Sequence, residues 1–356
     1  SSKKISVVNG NLIKDFYIDD IDFNPKSILK KIILFTLLIQ VVGSILLIPG
    51  LYKAGDQHFI FNSIFLSISA FCNAGFSPSS DSLSGFSGNW YVLSIIMGLI
   101  ILGGIGFVVF TNIAQKIRFA RKGQIFYLSL HVKIVLISTV VLIVSGFVFT
   151  FISFYKTSLW EIPLSKRILT ALFESVTLRT AGFETIPQTS FTSSASLFHL
   201  ILMFIGGSPG SIAGGVKTTT AFITLLYLLD GNEQRTTVSF ANRRIPSTII
   251  NKSITIVSRS VLILLISAIS LSYVENHLIS NGTISLIDII YESVSALATV
   301  GLSRGLTPQL SFLGKLIIII TMYIGRTGIY AMSIKSGFTG SDNEDLIYPE
   351  ESLLVG

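Results

Sequence analysis

Thr180-Ala181-Gly182-Phe183 closes a short apolar run, residues 168–178, and the same arrangement occurs twice more. Asn73-Ala74-Gly75-Phe76 follows the run 59–72, and Thr299-Val300-Gly301-Leu302 follows 287–297. The glycines Gly75, Gly182 and Gly301 stand 107 and 119 residues apart. None of these runs can cross a bilayer upright, because a span needs about 20 residues. Each is preceded by a long apolar run (28–48, 132–154, 249–274) and followed by another (90–111, 194–229, 312–332). Recurrence at a fixed spacing predicts tandem copies of one unit: span, half-length helix, glycine turn, span. Pro49-Gly50 reads as the end of the first run, and 90–111 as one continuous span.

Composition agrees with a membrane bundle. The 356 residues are 50% hydrophobic and only 13% charged, with mean hydropathy +0.72. Soluble domains carry about 25% charged residues, and disordered chains need low hydrophobicity. A soluble enzyme and a disordered chain are therefore both excluded as first readings. The net charge of +7 would suggest nucleic acid in a soluble chain; here its location matters more, and no nucleic-acid partner is expected. Five Lys and Arg lie in 115–133 and five in 230–259, against none in 76–90 and 183–196. Basic loops stay cytoplasmic, so the linkers between units should face the cytoplasm and the glycine turns should face outward. Lys53, Lys156, Lys166, Arg167, Arg304 and Lys315 run against this bias. The single cysteine, Cys72, permits no intrachain disulfide. The first residue is Ser, not Met, so a trimmed N-terminus is expected.

Non-helical backbone at membrane depth is costly unless it is buried in protein or lines water. A cation pathway gives the three turns a common purpose. Backbone carbonyls can replace the water around a dehydrated cation, and glycine allows the angles that point them inward. The short helix before each turn would direct its partially negative C-terminal end at the same axis. The stretches 70–76, 180–183 and 297–302 contain no charged side chain, and such a filter needs none. Its backbone would come from Asn73, Ala74, Gly75, Thr180, Ala181, Gly182, Thr299, Val300 and Gly301.

One span is interrupted. Gly206-Gly207-Ser208-Pro209-Gly210-Ser211-Ile212-Ala213-Gly214-Gly215-Val216-Lys217 cannot continue a helix, since an interior glycine costs about 1 kcal/mol and a proline about 3. The competing reading is a plain loop between two surface helices. Lys217 and Arg326 are unusual charges in apolar surroundings, where a central Lys or Arg costs about 2.5–3.5 kcal/mol. Either they snorkel near a helix end, or Arg326 donates to carbonyls of the interrupted stretch. Glu174 and Glu292 precede two of the turns by eight and nine residues. They read as polar groups near the outer ends of the short helices rather than as ion ligands, and Arg179 reads as a brace for its turn. The four histidines lack metal-ligand spacing, and no phosphate-binding Gly-Lys-Ser/Thr string is present.

These strings resemble the Trk/Ktr/HKT superfamily of K+ transporters, most of all the bacterial Ktr-type membrane subunit. The specific parts are Leu178-Arg179-Thr180-Ala181-Gly182-Phe183 and Thr299 through Pro308, and the likeness runs from about residue 28 to the end. It implies an all-α polytopic membrane protein, with repeats at 28–122, 123–235 and 236–334 between a segment 1–27 and a tail 335–356, both cytoplasmic. The family has four such repeats around one pore; these would be the second to fourth, with the first upstream of Ser1. The resemblance further implies K+ uptake across the cell membrane, without enzymatic activity or an organic cofactor. With one glycine per turn, Na+ would be excluded less strictly. A gating loop would comprise Gly206, Gly207, Ser208, Gly210, Ser211, Gly214, Gly215 and Lys217, held by Arg326. Expected partners are a second copy of the chain, the bilayer, and a cytoplasmic nucleotide-binding ring of RCK type docked on the basic linkers and the tail. Two other readings stay open at this point: a secondary solute transporter with a discontinuous helix, and a non-conducting scaffold.

Overall fold

A computed structural model describes residues 25–155, 157–230 and 238–327. Most of the expected segment 1–27, all of the tail 335–356, Arg235 and the end of the 312–332 span lie outside the described residues. Helix α1 (Pro25–Lys53) is followed by the short α2 (Phe59–Phe71), and then by α3 (Trp90–Ile105) and α4 (Phe107–Arg121). Next come α5 (Leu130–Ser153), the short α6 (Leu164–Thr177), and α7 (Ser193–Phe204) with α8 (Thr218–Asp230). A two-stranded ribbon, β1 (Val238–Phe240) and β2 (Arg243–Ile245), leads to α9 (Ser247–Val274), the single-turn-scale α10 (Asn276–Ser280), the short α11 (Leu286–Ala298) and α12 (Phe312–Thr327). The fold is therefore all-α and polytopic, with one small ribbon.

Local chemistry sets several starts. Asn89, Ser129 and Thr192 accept from the backbone N–H of Val92, Val132 and Ala195, satisfying donors that a helix start leaves open. Asp288 accepts from the backbone N–H and hydroxyl of Ser285 at the start of α11. Among the described residues three helices are each long and apolar enough to cross a membrane: Leu29–Lys53, Leu130–Ser153 and Ser247–Val274. Their outward residues are apolar and exposed, for example Leu34, Leu38, Val140, Val144, Leu262 and Ile266. Apolar surface facing outward is stable only in a hydrocarbon solvent, so the chain is an integral membrane protein.

The short helices α6 and α11 lie inside, while α2 buries one face and leaves Ile60, Phe61, Ile64 and Ile68 exposed. A core of Leu47, Leu66, Ile96, Phe173 and Phe183 joins α1, α2 and α3 to α6 and its turn. A second core, with Leu178, Leu202, Met203, Tyr291 and Val300, joins α7 to α11. Glu174, Ser175 and Thr177 on α6 and Glu292, Ser293 and Ser295 on α11 are buried, and α2 buries Ser63, Ser67 and Ser69.

Two span boundaries differ from the sequence reading. Pro49 does not end α1, which continues to Lys53. α3 closes on this turn: Tyr91 donates its hydroxyl to the Leu46 carbonyl at 2.8 Å, and a Cβ at Gly50 would lie 2.7 Å from Tyr91 and Val92 atoms. Neighbouring helices commonly rescue proline in a membrane span. The run 90–111 is also not continuous: Gly106 adopts φ 90°, ψ 147°, and α3 and α4 meet at 94°. Only glycine reaches that conformation cheaply.

Candidate functional site

The three turns share one backbone form. Asn73, Thr180 and Thr299 have φ of 48°, 64° and 51°, and the glycine two residues later has φ of 73°, 80° and 92°. A left-handed residue, an ordinary one and a left-handed glycine thus follow each short helix. The turns also meet. A Cβ on Gly75 would lie 2.7 Å from the carbonyl oxygen of Ala181 and 2.9 Å from Gly182 Cα. One on Gly182 would collide with the carbonyl oxygen of Val300 and stand 3.3 Å from Gly75 Cα. Gly301 faces Gly182 Cα at 4.0 Å from its own Cβ position.

The hydrogen bonds divide the peptide groups by direction. Donors turn back on the helix that precedes them: Ala74 to Ser69 at 2.9 Å, Ala181 to Thr177 at 2.9 Å, Val300 to Ser295 at 2.8 Å. Gly301 donates to Ser295 Oγ. Ser69 and Thr177 hydroxyls hold the far side of their turns through the carbonyls of Phe76 and Phe183. The carbonyl oxygens of Asn73, Ala74, Gly75, Thr180, Ala181, Gly182, Thr299, Val300 and Gly301 accept no hydrogen bond among the described residues. Unpaired buried carbonyls are rare; of these nine residues Asn73, Thr180, Ala181 and Val300 are buried, so each of the three neighbouring turns contributes at least one. The C-terminal ends of α2, α6 and α11 add partial negative charge at the same place.

The stretch 206–217 lies against two of these turns. It breaks the helix between α7 and α8 and folds into its own hydrogen-bonded loop, with Gly206 donating to Val216 and Val216 to Phe204. Gly214 donates to Thr180 Oγ1 at 3.2 Å, and a Cβ there would collide with Thr299 Oγ1 and the Ala298 carbonyl. Arg326 on α12 donates to the Ile212 carbonyl at 3.0 Å, and Lys217 to the Ala213 carbonyl at 2.6 Å. Arg179 reaches the Gly206 carbonyl at 3.5 Å, so it braces the loop rather than its own turn. On the remaining side the bend between α3 and α4 closes the loop in: Ser208 donates to Gly104 at 2.9 Å and Phe107 to Gly210 at 3.4 Å. All the expected gate positions thus sit in or on one loop, and Gly206, Gly207, Ser208 and Gly214 are buried.

The acidic residues depart from expectation. Glu174 lies three residues from the C-terminal end of α6, not near its outer end. It is fully buried, and neither its carboxylate oxygens nor the amide nitrogen of neighbouring Gln188 has a partner of good geometry among the described residues. Glu292 lies mid-helix in α11 and accepts from Ser303 at 2.7 Å and from Thr307. Sequence reasoning missed the brace that Arg304 forms. Its Nε donates to Asp288 at 2.7 Å, and Nη1 donates to the Gln188 carbonyl at 2.9 Å and to Ser196 Oγ at 2.7 Å. Tyr291 donates to Gln188 Oε1 at 2.8 Å. These bonds tie α11 to α7 behind the turns.

Replacing Arg304 by Met should lower the thermal midpoint of the detergent-solubilised protein by several degrees. Breaking a fully buried pair costs about 3–5 kcal/mol; with 12% and 17% of the two side chains exposed, about 2 kcal/mol is expected. Arg304→Lys should recover only part of it, because lysine lacks the planar fork. An unchanged midpoint would remove the brace from the account.

Comparison with known proteins follows the same line. The chain matches the family model described as TrkH, cation transport protein, over residues 20–342. It is similar to the potassium/sodium uptake protein NtpJ of Enterococcus hirae, at 33% identity over 331 residues, covering 91% of this chain and 71% of that protein. It is similar to the Ktr system potassium uptake protein B of Vibrio alginolyticus, at 32% identity over 359 residues, covering 99% and 75%. The crystal structure of the potassium transporter TrkH from Vibrio parahaemolyticus matches with a TM-score of 0.67 at 18% identity. That match covers 89% of this chain and 66% of that one, and it speaks for the fold alone.

Proposed function

This chain belongs to the TrkH family of cation transport proteins, is no enzyme, and we propose that it conducts K+ into the cell through the axis where its three glycine turns converge. The observation that carries this reading is the set of nine carbonyl oxygens without hydrogen bonds on turns that touch one another. A dehydrated K+ needs such oxygens in place of water. Three helix C-termini, each with about half a negative charge, offset its desolvation without a carboxylate. The membrane potential supplies the drive, about 2.3 kcal/mol per charge per 100 mV.

In this reading residues 28–122, 123–235 and 236–334 are repeats of one unit, the turns face outward, and a fourth turn of the same kind completes the ring. The loop 206–216 is the gate, since it rests on Thr180 and Thr299, the first residues of two turns. Arg326 and Lys217 hold it and place positive charge in the ion's path. A single glycine per turn makes a short filter, so Na+ competes measurably. The names of the relatives, which include both potassium and sodium, agree with this. The protein sits in the cell membrane as a homodimer, and a cytoplasmic nucleotide-binding ring regulates it through the basic linkers.

Rubidium uptake in a host lacking its own K+ uptake tests the reading. Expression of the protein should restore saturable uptake, which K+ inhibits strongly and Na+ more weakly. Absence of uptake with the protein demonstrably in the membrane would defeat it, and complete indifference to Na+ would defeat the short-filter part.

A further inference from the structure

Helix α4 changes character halfway. Its first half is packed: Val109 is buried, and the rings of Phe107 and Phe110 lie 6.1 and 4.6 Å from that of Phe35 on α1. From Lys116 to Ile125 every residue is exposed. This half carries Lys116, Arg118, Arg121 and Lys122, and none of the four makes an ion pair among the described residues. Interleaved with them are exposed apolar side chains: Ile117, Phe119 stacked on Phe126 at 5.3 Å, Ile125 and Tyr127. A soluble surface with this much cation has no use for Ile125 and Tyr127 left 81% and 76% exposed.

The geometry places this half at a membrane surface. α4 leaves α3 at 94°, so an α3 that stands upright in the bilayer lays α4 along its surface. Its depth is fixed by Phe35, and Lys30 and Lys31, both exposed, lie only four and five residues earlier on α1, about 6–8 Å along the axis. Six cations therefore gather at one level, beside apolar side chains that can enter the acyl boundary. A basic face paired with aromatic and aliphatic residues, lying flat, is the composition that binds an interface, and anionic headgroups are the partner such a cluster attracts.

We propose that the exposed half of α4, with Lys30 and Lys31, is a docking surface for anionic phospholipid headgroups. The bound lipid anchors the arm whose root, at Gly104, Gly106 and Phe107, forms one wall of the 206–216 loop. This goes beyond the proposed ion pathway and does not depend on it; it gives the basic linker 115–133 to lipid and leaves the linker 230–259 to the regulatory ring.

The test uses the purified protein in detergent, with phosphatidylglycerol or phosphatidylcholine added back. Phosphatidylglycerol should raise the thermal midpoint of the wild type, as any ligand of the folded state does, and phosphatidylcholine should not. The variant Lys116→Gln/Arg118→Gln/Arg121→Gln/Lys122→Gln should need at least about tenfold more phosphatidylglycerol for the same rise. Should that variant fold poorly, the single neutralisations Arg118→Gln and Arg121→Gln at exposed positions should each shift the requirement about fivefold. An equal response to both lipids, or a wild-type response in the variants, overturns the proposal. A variant that keeps the full lipid response yet loses ion flux in cells overturns it in favour of a protein partner.

Discussion

Gly182→Ser should cut rubidium uptake by at least about thirtyfold in protein that still inserts and folds. Gly182 sits at φ 80°, where a side chain costs about 1–2 kcal/mol. Strain is not the larger part of the effect. Its Cβ would collide with the Val300 carbonyl and crowd Gly75 Cα at 3.3 Å, so an oxygen of the proposed filter must move. At 1.4 kcal/mol per factor of ten, about 2 kcal/mol of lost ion coordination gives the expected loss. Gly55→Ser is the matched control. Gly55 has φ 81°, with nothing within 4 Å of its Cβ position. It carries the same backbone strain without the crowding, so its uptake should stay near wild type. If the two variants lose uptake equally, strain alone explains the result and the converging turns are not the pathway.

Arg326→Ala should act in the opposite direction and raise rubidium influx about five- to thirtyfold. Arg326 donates to the Ile212 carbonyl, and a hydrogen bond to a charged group contributes about 1.5–3 kcal/mol. The side chain is exposed, which reduces this to about 1–2 kcal/mol. Gly214 to Thr180 and Lys217 to Ala213 remain as holds on the loop, so the gate loosens rather than disappears. Arg326→Lys separates the two contributions of the side chain. It keeps the positive charge but not the guanidinium geometry; an influx near that of the alanine variant assigns the effect to the hydrogen bond, and one near wild type assigns it to the charge. Unchanged influx in folded, inserted Arg326→Ala protein would remove Arg326 from the gate.

How far the sequence could be read depended on the range of the signal. Two of the three short helices were legible almost to the residue, because an apolar run ending at a glycine turn is a local pattern: 59–72 became Phe59–Phe71 and 287–297 became Leu286–Ala298, whereas 168–178 became Leu164–Thr177, four residues longer at its start. The interruption at 206–217 was legible for the same reason, since five glycines and a proline cannot hide in a helix. The break at Gly106 was missed although Gly103-Gly104-Ile105-Gly106 carried a weaker form of that signal. Its cause is not local: Gly103 accommodates the Phe71 carbonyl and Gly106 the Pro209 carbonyl, both contributed by other parts of the chain. Pro49 misled in the opposite direction, because α1 runs through it to Lys53 where α3 packs on that turn. The Arg304 brace joins residues more than a hundred positions apart. Its sequence trace was only that Ser303, Arg304 and Thr307 stand together in a string that otherwise had no assigned role.

The backward-facing donors of the three turns have a consequence for the sign of the charge that can pass. On the proposed ion axis a halide would meet nine unpaired carbonyl oxygens, while the N–H groups of Asn73, Ala74, Ala181, Gly182, Thr299, Val300 and Gly301 are already engaged behind the turns, and only those of Gly75 and Thr180 are unengaged among the described residues. Along the proposed pathway, peptide orientation therefore favours cations over anions ahead of any choice by ionic radius. A peptide flip at one of the three glycines would weaken that preference.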